Sequence, residues 1–227
     1  MKTNMNQFAI GAISLMMFIG GIVPLHAGTI HSASDAGDLA AVRQMLMNDS
    51  TLVDSRDDDG MTPLHYAALN GNINMIVTLI QYGARVGAQD NSGGTPLHYA
   101  VVFMNRPAIE MLLASGAPVD AIDTTGKTAL QIAAMNGYVD IMGTLIAHGA
   151  RIDARDSGGQ TALHKAATFG QRKAVEYLLM MGANPADTDD MGATPLSMAM
   201  SNGFTDIAEI LRQHAAGSPV MAASVLK

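Results

Sequence analysis

Apolar residues fall at helical spacing in short bursts along this chain, and the bursts recur. Ile73, Ile76, Val77, Leu79 and Ile80 fit one helix face, and Ile109, Leu112 and Leu113 repeat it. Ile141, Leu145 and Ile146 follow, then Val175, Leu178 and Leu179. A shorter stripe precedes each burst, clearest at Leu64, Ala67 and Ala68. The intervening stretches are polar and rich in glycine. The spacing predicts pairs of short helices joined by turns, neither helix long enough to be stable alone. Each pair must therefore cover the apolar face of its neighbour.

A polar phrase keeps the beat. Asp-x-x-Gly-x-Thr-(Pro/Ala)-Leu runs from Asp57, Asp90, Asp123, Asp156 and Asp189, placing Thr62, Thr95, Thr128, Thr161 and Thr194 33 residues apart. A fixed period of this length marks stacked supersecondary units. Within one unit, Thr62 is placed as the N-cap of the first helix and Pro63 at its first position. Gly71 ends that helix and Gly83 ends the second. Gly83 recurs as Gly116, Gly149 and Gly182.

Residues 1–27 read differently. Lys2, an apolar run from Phe8 to Val23 and Pro24-Leu25-His26-Ala27 predict a secretory signal peptide cut after Ala27, with an uncleaved inner-membrane anchor as the competing reading. Hydrophobic content of 48% and charged content of 15% exclude a disordered chain. The net charge is −7, without a basic cluster, so no nucleic-acid footprint exists. With no cysteine, disulfides, thiol nucleophiles and cysteine-based zinc sites drop out. No hydrolase, metalloprotease, phosphate-loop or dinucleotide fingerprint occurs.

Thr62-Pro63-Leu64-His65 and Thr95-Pro96-Leu97-His98, with Thr161-Ala162-Leu163-His164 and Gly-Ala at 83–84, 116–117, 149–150 and 182–183, closely resemble the ankyrin repeat. The resemblance spans about residues 29–215. It implies an all-α repeat solenoid, an ankyrin stack of about six helix-turn-helix units with β-turn or hairpin loops and polar caps at both ends. The units are 28–60 (N-terminal cap), 61–93, 94–126, 127–159, 160–192 and 193–215 (C-terminal cap), with 216–227 as a flexible tail. In the first unit, His31 to Asp35 replaces the Thr-Pro-Leu-His phrase; in the last, Ser197 replaces the histidine. In the third, Met104 replaces the inter-helix glycine, and Asn105 is expected to take the left-handed turn with Pro107 opening the next helix.

The resemblance also assigns roles. His65, His98 and His164 are expected to hydrogen-bond within and between units rather than bind metal, since packed helices lie about 10 Å apart. The turn aspartates cap their own backbone; Asp57-Asp58-Asp59 lacks the alternating ligands of a calcium loop. His31, His148 and His214 are expected at the surface. The implied partner face has fingertips Asp58, Asp59, Asn91, Ser92, Thr124, Thr125, Ser157, Asp190 and Met191. Its floor comprises Leu69, Val102, Phe103, Met135 and Phe169.

The leading expectation is a monomeric, non-enzymatic interaction module without cofactor, periplasmic and binding another protein. A secreted protein aimed at a host or other foreign protein is the alternative. An accessory factor for a periplasmic redox or metal enzyme is the third, resting on the 18 methionines and the aspartate cluster.

Overall fold

A computed structural model describes residues 28–215. The expected signal peptide and flexible tail lie outside the described residues. Among the latter are twelve α-helices, one 3-10 turn and no strand. None of these helices is long and apolar enough to cross a membrane. The chain forms two compact units that divide between Thr125 and Gly126.

The first unit contains α1 (Ile30–Asp35), α2 (Leu39–Asn48), α3 (Pro63–Leu69), α4 (Ile73–Gln81), α5 (Pro96–Val102) and α6 (Arg106–Ala114). The short helices pack as α1 on α3 on α5, and the longer ones as α2 on α4 on α6. The second unit contains α7 (Ala129–Asn136), α8 (Val139–Ala147), α9 (Ala162–Thr168), α10 (Arg172–Met180), α11 (Pro195–Ser201) and α12 (Thr205–Ala215). There α7 packs on α9 on α11, and α8 on α10 on α12. The predicted stripes supply much of the core: Leu64, Ile76, Leu79, Ile109 and Leu112 in the first unit, Leu130, Leu145, Leu163 and Leu178 in the second, are fully buried, whereas Ile73, Val77, Ile80 and Ile146 are only half-buried and Met75 takes a buried place on α4. Each such side chain contributes about 1.5–3 kcal/mol, while Ala67, Ala68, Ala166 and Ala167, also fully buried, let neighbouring helices approach.

The loops are tied at the same period. Arg56 Nη1 donates to Gln89 O at 2.7 Å, and Gln89 Nε2 to Ile122 O at 2.8 Å. In the second unit Arg155 Nη1 donates to Thr188 O at 2.6 Å. Each bond spans 33 residues, so one turn's side chain satisfies the next turn's carbonyl.

Two expectations are corrected. The first helix pair keeps its N-cap: Thr29 lies 33 residues before Thr62, accepts from Ser32 N–H at 3.2 Å, and opens α1. In the third pair Met104, not Asn105, takes the left-handed conformation, at φ 55°. Asn105 instead precedes α6 at φ −79° and ψ 71°, and its Nδ2 donates to Ala68 O at 3.1 Å. That anchoring bond fixes Asn105 and passes the tight turn back by one residue, to the position filled by Gly71 and Gly137 elsewhere.

The left-handed region costs a side-chain-bearing residue about 1 kcal/mol, and Met104 is exposed and loses little packing on truncation. Met104→Gly should therefore raise unfolding free energy by about 1 kcal/mol in urea titrations.

Candidate interaction surface

Every exposed turn rests on one aspartate. Asp57 Oδ1 accepts from Asp59 N–H at 3.0 Å and Met61 N–H at 2.8 Å. Asp90, Asp156 and Asp189 accept from the second and fourth following amides in the same way. The turn closes as a small hairpin, Asp90 N–H meeting Gly94 O at 2.9 Å. Oδ2 takes a partner nine residues on: Tyr66 hydroxyl for Asp57 at 2.7 Å, Tyr99 hydroxyl for Asp90 at 2.5 Å and Lys165 ammonium for Asp156. Burial, and then the aspartate, pushes the Tyr66 and Tyr99 phenols well above their ordinary value. Burial works to raise the Asp156 carboxyl, but Lys165 and the Gln160 and Gly158 amides outweigh it and hold it low.

Behind the turns, the third residues of α3, α7 and α9 each link two turns. Thr62 N–H donates to His65 Nδ1 at 3.0 Å, so that nitrogen carries no proton. The proton is therefore on Nε2, which donates to Gly94 O at 3.1 Å. His164 repeats both bonds, from Thr161 N–H at 3.2 Å and to Ala193 O at 3.1 Å. His98 Nδ1 accepts from Thr95 N–H at 3.1 Å. Both nitrogens of His65 and His164 are engaged, leaving none for a metal. Gln131 fills the same role without a ring: Oε1 accepts from Thr128 N–H at 2.9 Å and Nε2 donates to Gln160 O at 2.8 Å. The end pairs use serine, Ser32 Oγ and Ser197 Oγ returning to Thr29 O and Thr194 O. Thr62, Thr95, Thr128, Thr161 and Thr194 thus all cap helices. Gly83, Gly116, Gly149 and Gly182 end the second helices at φ between 85° and 92°.

Of the other histidines, His148 is exposed as expected. His31 is not: it is half-buried, donates from Nε2 to Ser55 O at 2.9 Å and meets the Tyr66 ring edge-on. His214 is half-buried and its Nδ1 donates to Ile210 O at 3.0 Å. The small size of the end pairs' third residue leaves His31 as the group that bonds onward from α1.

On this frame the first unit exposes Asp58, Asp59, Asn91 and Thr124, with Ser92 and Thr125 half-buried. Its tips are laced: Asn91 N–H donates to Asp59 O at 3.0 Å and Thr124 N–H to Ser92 O at 2.8 Å. Leu69 and Val102 are half-buried, while Phe103, at the end of α5, is 50% exposed. The second unit exposes Ser157, Asp190 and Met191, the last at 92%. Met135 and Phe169 there are half-buried. The two phenylalanines, equivalent in sequence, are therefore unequal in exposure.

Gln131, Asn105 and Gln171 were the positioning residues that sequence patterning missed; Gln171 Nε2 donates to Met135 O at 3.0 Å. Their signal is positional, since Gln131 lies 33 residues after His98 and before His164.

These features define a stack of helix pairs with laced turns, and the comparisons say which. A family model described as ankyrin repeats (3 copies) matches residues 30–123, 105–189 and 159–222. The chain belongs to the ankyrin-repeat family. It is 51% identical over 51 residues to the Arabidopsis thaliana serine/threonine-protein kinase VIK, a match covering 22% of this chain and 12% of the kinase. It is 41% identical over 56 residues to human ankyrin repeat domain-containing protein 49, covering 25% and 23%. It is 43% identical over 42 residues to an ankyrin repeat protein of Neisseria meningitidis, covering 18% and 17%. The chain thus spans a quarter or less of these relatives' lengths.

Burial lowers the His65 and His164 pKa below the ordinary value. A histidine depressed on folding binds fewer protons folded than unfolded, so stability is full above about pH 6.5 and falls as pH drops below it. Melting temperature should therefore drop between pH 7 and pH 5. His65→Gln with His164→Gln should keep most of the pH 7 value and flatten that drop, because glutamine makes both bonds at 131.

Proposed function

We propose that this protein is an exported, non-enzymatic interaction module that holds a partner protein against its turn tips and inner-helix ends. Ankyrin repeats generally bind other proteins. The observation that carries the reading here is Phe103, half-exposed at the end of α5, in a unit whose turn tips expose Asp58, Asp59 and Asn91. An exposed aromatic in a unit with exposed polar tips fits an interface anchor. The acidic rim favours a basic or extended partner segment. In the second unit, Met191 and Asp190 offer a similar mix of one large apolar and one acidic side chain.

Export rests on the leader pattern of residues 1–27. In this reading the mature chain begins near Gly28, acts in the periplasm and organises or stabilises another envelope protein as a monomer. Secretion to a foreign target is the second possibility. N-terminal sequencing of the protein recovered from fractionated cells tests export: a start at Gly28 in the periplasmic fraction supports it, and an intact Met1 in the cytosol contradicts it.

Crosslinked affinity capture from the producing cells tests the face. Phe103→Asp, with helix content unchanged, should reduce recovery of the dominant partner at least tenfold, as loss of an anchor of about 1.4 kcal/mol or more requires. Undiminished recovery would reject Phe103 as an anchor.

A further inference from the structure

Methionine carries most of the exposed apolar surface. Among the described residues Met47, Met104, Met180, Met181, Met191 and Met200 are exposed, and the other exposed large apolar side chains are Phe103 and Ile122. No described leucine is exposed. Leucine and methionine gain about the same from burial, so hydrophobicity alone does not sort them this way. What separates them is the thioether, which is soft, unbranched and open to two-electron oxidation. Met75 and Met142, by contrast, are fully buried and serve as core.

Met104 and Met191 stand where sulfur can react without disturbing the fold. Met104 follows Phe103 at the end of α5, and Met191 lies at the tip of the turn that Asp189 closes. Their backbones are tied: Met104 N–H donates to Val101 O at 3.1 Å, and Met191 N–H to Asp189 Oδ1 at 3.0 Å. The residues are 57% and 92% exposed, so an oxygen added to sulfur meets water rather than a packed neighbour. Hydrogen peroxide supplies that oxygen. The sulfur lone pair attacks the peroxide, the O–O bond breaks, a sulfur–oxygen bond forms and water leaves. Sulfur gives up two electrons and the peroxide takes them. An apolar side chain thereby becomes polar. Methionine sulfoxide reductases reverse the step, the oxygen leaving as water while two thiols are oxidised to a disulfide.

We propose that Met104 and Met191 are sites of reversible oxidation by hydroperoxides, and that their sulfoxides weaken docking at the turn tips and inner-helix ends. The effect on docking rests on the interaction reading above, whereas the oxidation does not. Treating the full chain with hydrogen peroxide, removing the peroxide with catalase and mapping peptides by mass spectrometry tests the sites. Met104 and Met191 should each gain one oxygen with helix content kept. Met75 and Met142 should react at least about tenfold more slowly, because their sulfurs are reached only by local opening. Equal rates at all four, or loss of helix content as Met104 and Met191 react, would overturn the sites. Treated and untreated protein are then compared in capturing the dominant partner from an extract of untreated producing cells. Recovery should fall at least about threefold on treatment, as loss of one buried methylene's contribution would give. Met104→Leu with Met191→Leu stays apolar and cannot be oxidised there, so treatment should lower its recovery less than the parent's. Recovery insensitive to treatment, or lowered equally in both proteins, would overturn the effect on docking. Absence of any partner with the untreated parent would reject the interaction reading and the docking effect with it, while the oxygen map still decides the two sites.

Discussion

The structure depends on one two-ended side chain at the third position of α3, α7 and α9. One end accepts the N–H of the threonine that opens the helix, and the other donates to a carbonyl in the turn that follows, as His65, Gln131 and His164 do. Most of those backbone groups are buried, and a buried orphan costs about 1–3 kcal/mol. A single side chain satisfies two of them and, in doing so, fixes the distance between successive turns. The turn aspartate then shapes what the frame presents.

This explains why the variable positions are where they are. The aspartate Oδ1 is spent on amides of its own turn, which leaves side chains of the next one or two residues free to point outward. Asp58 and Asp59, Asn91, Thr124, Ser157, Asp190 and Met191 differ freely in chemistry while the backbone under them does not change. The Oδ2 partner varies too: tyrosine twice, then lysine. A rigid repeated frame with interchangeable tips is what a binding module needs.

Much of this was legible in the sequence because helix period, cap and turn glycine all repeat at one spacing. Thr62, Pro63, His65 and Gly83 each carry a local physical signal and recur four or more times in some form, so a single misreading is outvoted. What escaped depended on single contacts. Thr29 was hidden because its phrase, Thr29-Ile30-His31-Ser32, has isoleucine, histidine and serine where Pro63, Leu64 and His65 stand, although its position alone identifies it. Met104 rather than Asn105 takes the positive φ because the period places it where Gly71 and Gly137 stand, a signal masked by the preference of asparagine for that conformation. Phe103 and Phe169 are equivalent in sequence and differ in exposure because burial is set by neighbours, not by position.

The central claim is that the His65 and His164 rings are neutral, carry their proton on Nε2 and hold it in a bond to the next turn. Nitrogen-15 NMR of the imidazoles at pH 6 measures this directly. The account predicts an unprotonated Nδ1 and a slowly exchanging Nε2–H for both rings. Imidazolium signals, or the Nδ1–H tautomer, would contradict it and remove the link on which the stacked turns depend.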